Sequence, residues 1–188
     1  ASVKSCLDLI IKKFGKIDGL VNNAVLRAPA DEDFFSRDFE IFKKTTDVNI
    51  NGVFLISKEV SKLMKDKKEG VIVNIGSIYG MLGNDQSLYG DKVANYDYYC
   101  FHKGGIINFT RYLAVLLGKY NIRVNSLSPG GILWGQEQVF IDNYSKRTPL
   151  GRMASPDEMN GPLIFLLSDA ANYITGHNLI VDGGWTAW

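Results

Sequence analysis

Short apolar runs alternating with longer stretches of helical periodicity constrain this chain more than any other feature of its sequence. Ile17 to Val21, ending at Asn22-Asn23, and Gly70 to Ile75, ending at Gly76-Ser77, read as buried parallel strands, as do Ile122 to Leu127 and Asn178 to Val181. Between the first two, Phe39, Phe42, Val48, Val53, Phe54, Ile56, Val60, Leu63 and Met64 sit at helical spacings across residues 37–67, with Gly52 as an interruption. Residues 98–119 read as a second long helix, and Pro156 to Ser168 as a third with Ser155 as its cap. Val3, Leu7, Ile10, Ile11 and Phe14 place the start of the chain inside a helix that Gly15 ends. Such alternation predicts an α/β fold, a three-layer doubly wound parallel sheet of Rossmann-like type. Its ligand site is then expected at the C-terminal ends of the strands, where Asn22-Asn23, Ser77 and Pro129-Gly130 fall. With no repeat, linker or low-complexity tract, residues 1–188 read as a single domain.

Composition excludes several partners. Lys and Arg number 21 against 20 for Asp and Glu, so a formal charge of +1 offers no basic field for a nucleic-acid backbone. Cys6 and Cys100 are too few for a disulfide framework or a four-ligand zinc site, so no metal is expected and a reducing compartment fits. No apolar run approaches the roughly 20 residues that span a bilayer, and the first residues lack the layout of a signal peptide. A cytoplasmic protein with no membrane partner is expected.

The motifs narrow this further. Tyr99-Cys100-Phe101-His102-Lys103, with Ser77 upstream in Asn74-Ile75-Gly76-Ser77, resembles the short-chain dehydrogenase/reductase family. So do Val21-Asn22-Asn23-Ala24, Asn49-Ile50-Asn51-Gly52, Arg123-Val124-Asn125 with Ser128-Pro129-Gly130-Gly131-Ile132, and Gly176 leading to Val181-Asp182-Gly183-Gly184. Their order and company carry the resemblance, which covers nearly the whole chain. The family's Gly-rich dinucleotide loop follows a first strand that is not found here, so the chain resembles a member lacking its N-terminal strands and helices. Val25 stands where a glycine usually follows Asn-Asn-Ala, and Trp134 where a threonine often follows Ile132.

The resemblance implies an NAD- or NADP-dependent oxidoreductase of a secondary alcohol or ketone. Ser77, Tyr99 and Lys103 would be its catalytic residues, with Asn49 as the fourth, holding a proton-relay water. Asn22, Ala24, Tyr99, Lys103, Pro129, Gly130 and Ile132 would contact the cofactor. The residues that choose between NAD and NADP follow the second strand of the family and are not in this chain. Physical chemistry supports the core of this. Hydride transfer needs a partner that moves a proton on the substrate oxygen, and a free tyrosine, with a pKa of about 10, needs roughly 4 kcal/mol of phenolate stabilisation to do so at pH 7. Lys103 lies one helical turn after Tyr99, and unit charges about 4 Å apart at an effective dielectric near 20 interact by about 4 kcal/mol.

Ser77 and Tyr99 are separated by an unusually polar insert containing Asn84, Asp85, Gln86, Ser87, Tyr89, Asp91, Lys92, Asn95, Tyr96 and Asp97. Polar side chains there suit a polyhydroxylated substrate, and the insert resembles that of family members found among bacterial genes for surface sugars and flagellin modification. The resemblance also implies a homodimer or homotetramer built through residues 37–67 and 98–119, with Trp185 and Trp188 as further candidates for a subunit contact. His102 and His177 read as helix-surface and strand-edge residues, and Cys100 as a small hydrophobe. Two other functions share these features. One is a non-catalytic or truncated scaffold unable to bind cofactor, and the other an epimerase or dehydratase that also uses Tyr-x-x-x-Lys.

Overall fold

In the computed structural model, which describes residues 2–28, 34–92, 94 and 96–188, the apolar runs pair as one parallel sheet. Its strands β1 (Gly19–Asn22), β2 (Gly70–Ile75), β3 (Ile122–Pro129) and β4 (Asn178–Val181) lie side by side in that order. The helices are α1 (Ser2–Phe14), α2 (Phe39–Thr46), α3 (Val53–Lys67), α4 (Asp97–Leu117), α5 (Gln138–Arg147) and α6 (Asn160–Leu167). Leu20 stands opposite Ile72, Ile72 opposite Val124, and Leu127 opposite Leu179.

Successive strand residues point to opposite faces, and both faces are covered. Ile72, Ile122 and Val124 pack with Leu7 of α1, Val60 and Met64 of α3, and Leu113 and Leu117 of α4. Val71, Val73 and Leu127 face the other way, against Leu166 of α6. Burial on two sides requires apolar residues at consecutive positions, which is why these strands are continuous rather than alternating runs. The three-layer arrangement follows from that.

Buried amides tie the layers at the C-terminal ends of the strands. Asn22 donates to Ser57 Oγ at 2.9 Å and to Asn74 Oδ1 at 2.7 Å, while Asn74 donates to Thr110 Oγ1 at 2.8 Å. One ladder therefore joins β1, α3, β2 and α4, with its polar groups satisfied inside the core.

Three sequence expectations change in detail. The segment 37–67 begins at the Asp38 cap, whose side chain accepts from Glu40 N–H at 2.9 Å, and runs through a π-helical turn at Asp47–Gly52 before α3. Gly52 does not break the helix; the irregularity is a widened turn centred on Asn49. Helix α5 was not anticipated, because Tyr144 is its sole buried residue and its pattern is too polar to read. Trp185 is 3% exposed and stacks on Tyr144 with ring centroids 4.2 Å apart, so it belongs to the core and not to a subunit contact. Trp188, by contrast, is exposed. Among the described residues no helix is long and apolar enough to cross a membrane.

Candidate active site

Ser77 follows β2 in extended conformation and caps a short 3-10 turn at Ile78–Gly80, its Oγ accepting from Tyr79 N–H at 3.1 Å. That bond occupies an acceptor lone pair and leaves the hydroxyl proton free to donate. A Cβ on Gly80 would lie 2.7 Å from the carbonyl carbon and oxygen of Lys103, so only glycine lets this turn sit directly on α4 and bring Ser77 to Tyr99.

Tyr99 and Lys103 share one face of α4, with the Lys103 ammonium 5.4 Å from the centre of the Tyr99 ring. Lys103 is buried and donates to Ile75 O at 2.6 Å, its one hydrogen bond among the described residues. An ammonium has three protons, so two remain for hydroxyls or water. Burial, and then the charge of Arg27, lower its pKa to about 8. The Tyr99 phenol is pushed above its ordinary value by burial, with the Ser77 hydroxyl and Arg27 acting against that. The ammonium lies over the Tyr99 ring and is turned to Ile75 O.

Asn49 is 6% exposed and its side chain is spent on structure. Its Oδ1 accepts from Leu26 N–H at 2.7 Å and its Nδ2 donates to Leu26 O at 3.0 Å, clamping the segment after β1 against the π turn. The same Nδ2 lies 3.3 Å from His102 Nδ1, and His102 Nε2 lies 3.0 Å from Thr46 Oγ1. Because Leu26 fixes the orientation of the amide, His102 Nδ1 must accept and Nε2–H must donate, a neutral imidazole. His102 is therefore not a surface residue: it is 1% exposed, and burial followed by the Lys103 charge lowers its pKa to about 4.

A buried neutral histidine makes stability depend on pH. Between its ordinary 6.5 and about 4 the unfolded chain takes up the proton and the folded chain does not. Stability present above pH 6.5 is thus lost as pH falls through that window, by up to about 3 kcal/mol. Exchanging His102→Gln should flatten the wild-type curve of unfolding free energy between those values, as read by urea titration. An unchanged slope would contradict this.

The structure brings Asn22, Ala24, Asn49, Tyr99 and Lys103 to the wall of one cavity, with Val25 and His102 beside them. Both amide protons of Asn22 are taken by Ser57 and Asn74, so its part in that wall falls to its backbone and Oδ1. Pro129 ends β3, Gly130 and Ile132 follow it, and none of the three lines this cavity. Gly130 N–H is bound to Val181 O at 2.9 Å, and a Cβ on Gly131 would lie 2.7 Å from Tyr144 Cζ, so the two glycines serve close packing on β4 and α5.

The polar insert also behaves differently from expectation. Asn84 and Gln86 donate to Ala94 O at 2.7 and 2.8 Å, Asp85 pairs with Arg147, and Lys92 pairs with Glu137. Those groups fasten the insert to itself and to α5. What borders Tyr99 is aromatic: Tyr96 lies 6.1 Å from it, and Tyr79 and Tyr89 lie 5.6 and 6.1 Å from Tyr96. Asn95 lies outside the described residues. Tyr96, His102 and Gly80 are the site residues that sequence reasoning missed or misplaced.

Comparison with known proteins agrees with this architecture. A family model described as Enoyl-(Acyl carrier protein) reductase matches residues 1–186. Post-translational flagellin modification protein A of Campylobacter coli is 32% identical over 98% of this chain and 73% of its own length. An L-rhamnose 1-dehydrogenase (NAD(P)(+)) of Azotobacter vinelandii is 33% identical over 93% of this chain and 66% of its own. The solved structure of a short chain dehydrogenase from Leptospira borgpetersenii with bound NAD+ is 40% identical, with a TM-score of 0.90, over 98% of this chain and 70% of that one. The chain belongs to the short-chain dehydrogenase/reductase family, and spans roughly two thirds to three quarters of the length of these relatives.

Proposed function

We propose that this protein is an NAD- or NADP-dependent oxidoreductase interconverting a secondary alcohol and a ketone on a carbohydrate-like substrate, with Tyr99 as general acid and base. The observation that carries the proposal is the buried Lys103 ammonium beside Tyr99, one proton engaged by Ile75 O and two without an acceptor among the described residues. Vicinal hydroxyls of a nicotinamide ribose fit that donor set, and the relatives named above include one with bound NAD+ and one that uses NAD(P)(+). A bound nicotinamide supplies or accepts the hydride. Tyr99 holds its proton at neutral pH, because burial raises its pKa, and gives it to a carbonyl oxygen during reduction. Ser77, with its proton free, donates to the same oxygen as charge develops there. Lys103 places a positive charge under the forming phenolate and orients the ribose. Asn49 and His102 hold the segment 24–26 against the cavity.

A carbohydrate-like substrate is supported by the aromatic faces of Tyr96, Tyr79 and Tyr89, which suit the C–H face of a sugar, with the Tyr79 and Tyr89 hydroxyls 3.4 Å apart as polar handles. The rhamnose and flagellin-modification relatives point the same way. Exposed Phe54, Phe101, Tyr112 and Val115 on α3 and α4 support assembly with further copies of the chain through those helices. The test is a panel of alcohols assayed with both cofactors. Turnover of sugars and polyols above that of apolar secondary alcohols is expected; the reverse order would sink the substrate assignment.

A further inference from the structure

Across residues 130–134, the turn that leaves β3, every backbone N–H but one is engaged by the protein. Gly130 N–H bonds Val181 O at 2.9 Å, Leu133 N–H bonds Ala154 O at 2.8 Å, and Trp134 N–H meets Gln136 Oε1 at 2.6 Å. Gly131 N–H is taken by the Tyr144 hydroxyl of α5 at 2.6 Å. Gly131 O and Leu133 N–H both bond Ala154, so the backbone groups of Ile132 between them turn the other way. There Ile132 O accepts from Gln136 Nε2 at 2.7 Å, and Ile132 N–H meets no acceptor among the described residues.

Tyr144 is fixed in that place from several sides. It is buried, stacks on Trp185, and shares one apolar cluster with Ile78, the residue after Ser77, and with Leu88 of the insert. Trp185 is presented by a turn that Asp182 closes, accepting from Gly184 N–H at 2.9 Å and Thr186 N–H at 2.8 Å, and the Arg147 guanidinium lies 4.9 Å from its ring centre. A Cβ on Gly130 would lie 2.9 Å from the Tyr144 hydroxyl oxygen, and one on Gly131 2.7 Å from Tyr144 Cζ. The phenol and the turn therefore fit together with no room for a side chain. Burial pushes the Tyr144 phenol up to about 12, so it stays neutral at physiological pH.

We propose that Tyr144 is a positioning residue: by engaging Gly131 N–H it fixes the turn so that Ile132 N–H is the donor offered to the carboxamide oxygen of a bound nicotinamide. The inference rests on the oxidoreductase reading. An open parallel sheet takes its ligand at the C-terminal ends of its strands, and this turn leaves β3 beside the Ser77 turn, where Gly76 N–H bonds Leu127 O at 2.7 Å. The carboxamide carries the hydrogen-bonding groups of nicotinamide, and its carbonyl oxygen is the acceptor that a lone amide N–H can engage. Tyr144, buried behind the turn, acts through the backbone.

The test is amide hydrogen exchange by NMR on wild type and on Tyr144→Phe, which keeps the ring stacked on Trp185 and deletes only the hydroxyl. In wild type without cofactor, Gly131 N–H should exchange about tenfold or more slowly than Ile132 N–H, and saturating NAD+ or NADP+ should slow Ile132 by a comparable factor. In Tyr144→Phe, Gly131 should lose its protection. The calorimetric preference for the cofactor over its thionicotinamide analogue, whose sulfur is the weaker acceptor, should shrink about 3- to 10-fold in the same variant. A purely structural tyrosine would lower stability to urea and leave that preference as in wild type, which would overturn the proposal. So would equal exchange of the two amides in wild type, a result that needs no variant, or saturable cofactor binding that leaves Ile132 unprotected. Failure of wild type to bind either cofactor would overturn the oxidoreductase reading as well.

Discussion

Tyr99→Phe is expected to lower turnover by about 10²–10⁴-fold while leaving the fold and the affinity for nicotinamide cofactor in place. The ring keeps its neighbours, Tyr96 at 6.1 Å, Tyr98 at 6.5 Å and the Lys103 ammonium at 5.4 Å, so only the exchangeable proton is lost. A fall in kcat with little change in KM would mark an interaction made in the transition state. Direction should depend on pH in the sense set by the phenol. Burial raises its pKa, so the proton donor needed for reduction is present at neutral pH, and the phenolate needed for oxidation forms as pH rises. Oxidation rates should therefore climb through the alkaline range while reduction falls. Wild-type turnover in Tyr99→Phe would remove Tyr99 from the chemistry.

Lys103→Met should separate function from stability. Turnover is expected to fall by about 10²–10³-fold, the usual loss when one preorganised donor leaves a developing charge. Stability should move the other way. The folded ammonium has a pKa of about 8 against an ordinary 10.5, so below pH 8 the native state carries a buried charge that the unfolded chain solvates freely. That costs about 3 kcal/mol, offset by about 1 kcal/mol from the hydrogen bond to Ile75 O. A net gain of about 2 kcal/mol is expected in Lys103→Met at pH 7. It should shrink as pH rises through 8 toward 10.5, where the wild-type amine sheds its proton in the folded state. A variant less stable than wild type at pH 7 would show that the lysine is held for structure.

The parts of this molecule that were legible in its sequence are those whose signal is local. The strands are short apolar runs because both their faces are covered, and Ser77, Tyr99 and Lys103 are marked by spacing within one helix and at one strand end. What was missed depends on partners distant in sequence. His102 is a polar residue on a helix until Thr46 and Asn49 close over it, and Trp185 is a terminal aromatic until Tyr144 stacks on it. The insert is rich in amides and charges, yet these groups bind Ala94, Arg147 and Glu137, and aromatic rings face Tyr99 instead.

The most direct test of the nicotinamide assignment is a calorimetric titration of NAD+ and NADP+ into the protein and into its Lys103→Met variant. Saturable binding of one of the two by wild type, weakened about tenfold or more when the buried ammonium is removed, is the expected result. Binding that is equally tight in both proteins, or absent from wild type at millimolar cofactor, would contradict a nicotinamide site built around Tyr99 and Lys103.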